Sequence, residues 1–272
     1  PLRRVQIPKG PGSTKLRPLG IPVVRDRVAQ EVVRRLLAPI FEPQFHDDSY
    51  GFIPGRNCHQ AIERVLELHR AGRTVVLDAD IEGFFDNLSH RIIMAAVAAE
   101  VADGNILDLV ERFLKAGVME DGVFRHTDVG TPQGGVISPL LANIVLNRLD
   151  WTLHEAGYRF VRYADDPVVL SQPPAEAQEA LTLVRSTLEG ELGLKPSPEK
   201  TKPSPWGKGY DFLGFRLSAA SRRMRDKSVL KFKAKVKELT QRHHNLDRAA
   251  VEKLNRLIRG TANYFGTRFS TC

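Results

Sequence analysis

The chain has 272 residues, 42% of them hydrophobic and 26% charged, and a net charge of +8. That length can bury a sizeable core, and that balance is ordinary for a globular protein. No apolar run reaches the length of a membrane span and no signal peptide opens the chain, which speaks against a membrane protein. Cys58 and Cys272 are the only cysteines. They supply neither a disulfide framework nor a metal cluster and fit a reducing, cytoplasmic compartment. Pro1 stands where a Met would open a full-length product, so the chain is expected to begin inside a longer protein.

Charge is unevenly spread. Residues 1–35 hold nine Lys/Arg against two Asp/Glu, and residues 219–272 hold fourteen against four. The stretch between them carries a net −9. Two basic ends suit a polyanion such as nucleic acid, and an acidic centre suits divalent metal ions. Solvated charged faces without a partner remain the alternative at this point.

In chain order, Lys9–Pro18 is rich in turn formers and cations and reads as a basic loop or hairpin. Asp26 is placed to cap a helix with apolar positions Val28, Val32, Val33, Leu36, Leu37 and Ile40. Asn57 is placed to cap a second helix through Ile62, Val65, Leu66 and Leu68. Thr74–Ile81 reads as a buried strand with an acidic end. Helices are expected from Ser89 to about Val101 and near Ile106–Leu114, and Asp121-Gly122 signals a hairpin. Ser138-Pro139 marks a helix start, with a capping hydroxyl before a Pro at the first turn, and that helix runs to about Glu155. Residues 175–190 read as a helix and Tyr210–Leu217 as a strand. Composition shifts near Ala219. Two helices follow, one with Val229, Phe232, Val236 and Leu239 on a stripe flanked by Lys231, Lys233, Lys235 and Lys237, the other with Leu254, Leu257, Ile258, Tyr264 and Phe265 on its apolar face.

Tyr163-Ala164-Asp165-Asp166 lies between two short β-branched runs, the pattern of a tight hairpin with acids at its turn. Two adjacent carboxylates repel, and a divalent cation relieves the conflict. The tetrapeptide alone is equally compatible with a solvated acidic turn. The second acidic run is Asp78-Ala79-Asp80-Ile81-Glu82-Gly83-Phe84-Phe85-Asp86. It fails as an EF-hand loop, because Ser89 stands at the twelfth position where Glu is needed. Paired instead with the hairpin, Asp80 lies beside Asp165 on neighbouring strands, an arrangement suited to two metal ions acting in phosphoryl transfer. Phe84-Phe85 by itself reads as packing. The histidines show no metal-ligand spacing; His243-His244 is expected at a helix end, and Trp151 and Trp206 as packing residues.

These residues carry a resemblance. The Tyr163–Asp166 tetrapeptide resembles the signature of reverse transcriptases. Gly130–Ile144, with its Thr-Pro-Gln-Gly-Gly start, resembles the second palm motif of group II intron reverse transcriptases. Arg17–Pro22 and Ser49–Asn57 resemble that family's fingers motifs, Phe212–Phe215 its primer-grip hairpin, and Asn255–Phe265 its thumb, or maturase, region. Six motifs in family order span nearly the whole chain.

The resemblance implies an α+β right-hand polymerase fold: fingers over 1–73, a palm of antiparallel sheet packed on helices over 74–218, and a short helical thumb over 219–272. It implies an RNA-directed DNA polymerase that extends a primer 3′-hydroxyl, on DNA or RNA, with dNTPs on an RNA template such as intron RNA. Asp80, Asp165 and Asp166 become the catalytic carboxylates and, with the backbone carbonyl of Ile81, the holders of two Mg²⁺, for which Mn²⁺ can substitute. Asp78 and Asp86 fall outside that set and are expected to cap structure. Phe85 becomes the aromatic gate beneath the sugar. Lys15, Arg17, Arg56, Gln133 and Lys200 become nucleotide contacts, Lys200 as a proton donor to pyrophosphate. Gly134 and Gly135 allow close backbone approach to nucleic acid, which Phe212, Leu213, Gly214, Lys231 and Lys235 also contact.

Two alternatives share these motifs: an RNA-binding maturase with little or no polymerisation, and a related enzyme recruited to defence or repair. One departure stands out. Pro167 follows the two Asp where the family usually has an aromatic residue, so a ladder donor is lost and Asp166 is restricted to extended backbone. No HNH endonuclease signature follows the thumb, so target-site cleavage is not expected.

Overall fold

The computed structural model describes residues 1–8, 16–207, 209–219, 221–241 and 247–266. They form two compact units. The first comprises Pro1–Ile7 and Leu16–Pro205, and the second begins at Trp206.

The first unit opens with strands β1 (Leu2–Pro8) and β2 (Leu16–Ile21) and helix α1 (Val24–Phe41). The expected face of α1 is half right. Val33 and Leu37 are buried with Ala38 and Phe41, whereas Val28, Val32, Leu36 and Ile40 are exposed. The helix carries two apolar stripes, and the core takes the one that also contains Gln30. Asp26 does not cap this helix, because it begins two residues earlier and Asp26 lies in its first turn. Helix α2 (Cys58–Arg70) follows the reading closely. Asn57 accepts from the backbone N–H groups of His59 and Gln60, and Gln60 returns a bond to the Asn57 N–H, a full capping box.

Strand β3 (Val75–Asp78) leads to a short helix α3 (Phe84–Asn87), then α4 (His90–Ala98) and α5 (Gly104–Leu114). Ser89 precedes α4 without a side-chain capping bond, whereas Asp103 caps α5. Strands β4 (Val118–Glu120) and β5 (Val123–Arg125) form the expected hairpin. Asp121 and Gly122 both have positive φ, as a type I′ turn demands. These strands complete a sheet of order β2-β1-β4-β5, in which β1 and β4 run parallel.

Helix α6 (Ser138–Glu155) is buried along most of its length. Ser138 is not its cap. The helix is flanked by Ile137, and the Ser138 hydroxyl instead accepts from Thr131 Oγ1 at 2.7 Å and donates to the Pro132 carbonyl at 3.0 Å. Strands β6 (Arg159–Tyr163) and β7 (Asp166–Ser171), helix α7 (Pro174–Arg185) with a π-helical continuation Ser186–Glu191, and β8 (Pro203–Pro205) complete the unit. The central sheet has order β6-β7-β3-β8, with every pair antiparallel. Val75, Val76 and Leu77 are all buried, as are residues 167–171, so both faces are covered. That is why these strands read as continuous apolar runs rather than alternating ones.

The second unit holds β9 (Tyr210–Phe212), β10 (Phe215–Leu217), β11 (Arg222–Met224), α8 (Asp226–Leu239) and α9 (Arg248–Phe265). The residue pattern reads Tyr210–Leu217 as a single strand, but it is a hairpin, as the resemblance at Phe212–Phe215 implies. Leu213 and Gly214 both have positive φ and turn β9 back onto β10. The stripe Val229, Phe232, Val236 and Leu239 is half-buried on α8, as are Leu254, Leu257, Tyr264 and Phe265 on α9, but Ile258 is exposed. Cys272 and His243-His244 lie outside the described residues. No helix among the described residues is long and apolar enough to cross a membrane.

A buried ion pair joins α6 to the central sheet. Arg162 and Asp150 are both fully buried. The Arg162 Nε and Nη2 meet the Asp150 carboxylate at 2.6–3.0 Å, and Nη1 donates to Asn143 Oδ1 and to the Ala164 carbonyl, each at 2.8 Å. Replacing one partner strands a buried charge, at a cost of about 3–5 kcal/mol. Urea unfolding is expected to show that loss for Arg162→Met. The double substitution Arg162→Met/Asp150→Leu should recover much of it, because no unpaired charge then remains.

Candidate active site

The β6–β7 hairpin turns in two residues. Tyr163 pairs with Asp166, leaving Ala164 and Asp165 at the tip. Ala164 has φ +58 while Asp165 is not left-handed, the pattern of a type II′ turn in which Gly is the usual first residue. The Arg162 guanidinium holds the Ala164 carbonyl, so the turn is fixed from beneath. On the other side of β7 runs β3. The Ala79 N–H donates to the Pro167 carbonyl at 3.1 Å, which places Asp80 just beyond the strand end, beside the hairpin.

The segment after Asp80 is equally fixed. The Asp80 carbonyl accepts from the Ser197 N–H at 2.8 Å, and Ile81 bridges to Pro196. Lys200 comes from the same returning segment. Its Nζ lies 2.8 and 2.9 Å from the two carboxylate oxygens of Asp80. That bond holds the Lys200 ammonium above the usual lysine range.

The carboxylates strain against one another. Asp165 is raised above its ordinary value, first by loss of solvent and also by Asp80, with Arg17 and Arg162 opposing the rise. Asp166 is pushed up to about 6. Although its side chain reaches water, the surrounding protein withdraws much of its hydration, and Asp165, Asp78 and Asp80 add like charge. Asp78 ends β3 and adds to the field at Asp166, and Asp86 lies inside α3, which Gly83 precedes.

A cleft of about 360 Å³ opens against Asp165 and is lined by Arg17, Leu19, Phe52, Phe85, Gln133, Gly134 and Gly135 among others. Phe85 is half-buried, its ring edge-on to buried Phe84 and its carbonyl held by the Thr131 N–H. The Gln133 carbonyl accepts from the Gly20 N–H at 2.8 Å, which ties this loop to β2. Gly134 has φ +110, and a Cβ there would lie 2.8 Å from the Gly20 carbonyl oxygen; a Cβ on Gly135 would lie 2.5 Å from Ser138 Oγ. Packing within the protein therefore demands both glycines, whatever else approaches them.

The first unit thus gathers Asp80, Ile81, Asp165, Asp166 and Lys200 at the strand ends, and Arg17, Phe85, Gln133, Gly134 and Gly135 around the adjoining cleft. Arg56 departs from expectation. Its Nη1 donates to the carbonyls of His46 and Ser49 at 2.5 and 2.7 Å, and its Nη2 faces Asp47 at 3.4 Å, so it braces a loop rather than awaiting a phosphate. Lys15 lies outside the described residues. Phe212, Leu213 and Gly214 belong to the second unit, where Tyr264 Oη donates to the Leu213 carbonyl and Ser228 Oγ to that of Gly214. Lys231 and Lys235 are exposed on α8.

Sequence reasoning missed Asn143, Asp150, Arg162 and Gln30, all buried. A signal existed for two of them: Asn143 and Asp150 stand seven residues, two helical turns, apart on an otherwise apolar helix face.

Known proteins match along most of the chain. Residues 7–217 match the family model described as "Reverse transcriptase (RNA-dependent DNA polymerase)", and residues 229–271 the model "Group II intron, maturase-specific domain". Protein YkfC of Escherichia coli is 38% identical over 255 residues, covering 80% of this chain and 66% of that protein. The group II intron-encoded protein LtrA of Lactococcus lactis is 40% identical over 168 residues, 62% of this chain and 28% of LtrA. The chain therefore spans less than two thirds of these relatives. Apo telomerase from Candida tropicalis superposes with a TM-score of 0.64 at 12% identity, covering 100% of this chain and 59% of that one, a likeness of fold.

Relieving the crowding of carboxylates should stabilise the protein. In metal-free buffer at pH 8, Asp166→Asn is expected to raise the thermal midpoint above wild type. The gain should shrink as pH falls below about 6, where wild-type Asp166 takes up its own proton.

Proposed function

The chain belongs to the reverse transcriptase (RNA-dependent DNA polymerase) family and carries a group II intron maturase-specific segment, and from that premise we propose that it extends a primer 3′-hydroxyl with dNTPs on an RNA template. One observation carries this reading. Asp80, just beyond the end of β3, and Asp165-Asp166 of the hairpin lie close enough to act on one another, and Asp165 lines a cleft that also presents Phe85 and Gln133.

The donor set fits divalent metal. Among the described residues no three His, Cys, Asp or Glu side chains are gathered closely enough to hold a metal ion by themselves. Mg²⁺ needs no such trio, since it takes few protein carboxylates and completes its shell with water and substrate phosphate. Asp166 is raised first by burial and then by three neighbouring carboxylates, a conflict that a cation would ease, and the Lys200 ammonium already sits across both oxygens of Asp80 as a cation would. Asp80, Asp165, Asp166 and the Ile81 carbonyl would hold the ions. The chemistry that two bound Mg²⁺ would supply there is a lowered pKa for the 3′-hydroxyl and charge compensation for the departing pyrophosphate.

The remaining roles fall to the chain itself. Arg17 faces Asp165 across the cleft and supplies positive charge for a triphosphate. The Phe85 ring packs edge-on against Phe84 while the Thr131 N–H holds its backbone carbonyl, so the ring forms a floor that a 2′-hydroxyl would strike. Gln133, anchored through its backbone to β2, positions an amide beside the nucleotide. Lys200 Nζ, released from Asp80, can give a proton to pyrophosphate.

Primer extension on an RNA template with Mg²⁺ tests this. Wild type should make DNA and Asp165→Ala should fall to background; equal output from both would sink the proposal. Phe85→Val should admit ribonucleotides roughly tenfold more readily, the equivalent of about 1.4 kcal/mol.

A second reading, RNA binding in the manner of a maturase, draws on the match over residues 229–271 and on the exposed Lys231, Lys233, Lys235 and Lys237 of α8. Log affinity for single-stranded RNA should then fall with log salt at about −0.7 per phosphate contacted. Replacing Lys231 and Lys235 with Gln should flatten that slope, as fluorescence anisotropy would show.

A further inference from the structure

The Ser49–Asn57 segment offers a residue the sequence did not single out. Phe52 is 60% exposed and has φ +60. A bulky side chain with a Cβ adopts left-handed backbone only against its preference, and an aromatic ring left in water forgoes burial. Both penalties fall on one residue that lines the cleft beside Asp165 and Phe85.

The surroundings force this conformation. A Cβ on Gly51 would lie 2.2 Å from the Ala164 N, so Gly51 is pressed directly onto the hairpin tip. Its carbonyl accepts from the buried Asn143 Nδ2 at 2.8 Å, and the Tyr50 N–H donates to the Arg162 carbonyl at 2.8 Å. Arg56 ties the carbonyls of His46 and Ser49 together from the other side. Ile53, the next residue, is buried. The loop is pinned before and after Phe52, and its ring is left outside. Strain retained by such over-determination points to use.

We propose that Phe52 is a base-stacking residue, its ring packing on the face of a nucleobase delivered to Asp165. The motif then works differently from its expected role: Arg56 builds the loop and Phe52 meets the ligand. Stacking suits a site that must accept every base, because each base offers a π-face. The nucleobase comes from the template strand or from the incoming nucleotide. The proposal rests on the polymerase reading above.

Three variants test it in the full chain: Phe52→Gly, Phe52→Leu and Phe52→Trp. Gly suits φ +60, so Phe52→Gly should melt no lower than wild type while removing the ring. Single-nucleotide extension gives KM for the dNTP, and anisotropy gives Kd for an RNA–DNA template–primer without dNTP. Phe52→Gly and Phe52→Leu should raise one of these by about 5- to 150-fold, and Phe52→Trp should restore it. A rise in KM alone identifies the incoming base, and a rise in Kd the templating one. Both constants within twofold of wild type for Gly and Leu would overturn the proposal. If wild type extends no primer, the polymerase reading fails and stacking is judged by binding alone. The added tryptophan of Phe52→Trp, compared with wild type, should then be quenched by the RNA–DNA duplex. No quenching would count against it.

Discussion

A single buried guanidinium fixes the geometry on which the acidic site depends. Arg162 leaves β6, enters the interior and takes acceptors from α6 and from the hairpin tip at once. Its backbone meanwhile exchanges bonds with the 48–50 segment, donating to the Asp48 carbonyl and accepting from the Tyr50 N–H. Desolvating such a charge is expensive, and one carboxylate rarely repays it. Here a bidentate Asp150, an amide and a carbonyl share the load. A lysine could not fill the role, since it lacks the planar fork that reaches all of these acceptors. Because this frame is rigid, the left-handed Ala164 and Phe52 can persist beside it.

The frame also explains how the protein tolerates its own acidic site. The sheet is sealed on both faces, so β3 and β7 are stable independently of their ends. Only at those ends do the carboxylates emerge, half in water, with mutual repulsion that the sealed sheet withstands. Lys200 relieves part of it at Asp80, and Arg17 part of it at Asp165. Both cations arrive on segments outside β3 and β7, so charge balance at the site does not constrain the sheet. Stability is given up at the site and supplied elsewhere, as functional clusters of like charge require.

What was legible in the sequence was local. The Asn57–Gln60 capping box, the Asp121-Gly122 turn and the acidic hairpin each depend on neighbours within a few residues, and each forms as read. Non-local competition decided the rest. Two apolar stripes on α1 were both plausible, and only tertiary packing chose the one with Val33 and Leu37. Ser138 has the right chemistry for a cap, but Thr131 and Pro132 claim its hydroxyl. Arg56 has the right chemistry for phosphate, but two carbonyls ten and seven residues earlier claim its Nη1. Within the site, the carboxylates and Phe85 could be placed from motif order, whereas Asn143, Asp150 and Arg162 become a unit only when α6 lies under β6.

Pro167 shows how a departure from a motif can be absorbed by register. It stands opposite Arg162, whose N–H and carbonyl both point away to the 48–50 segment. No hydrogen bond crosses from β6 at this pair, so nothing is lost on that side. Toward β3, the Pro167 carbonyl still accepts from Ala79, and the sole deficit is the N–H that proline cannot return. In exchange, proline confines the preceding residue to extended backbone, which is what β7 asks of Asp166. The substitution therefore removes one ladder bond at a strand end and stiffens the backbone of the second carboxylate, the group most opposed by its neighbours.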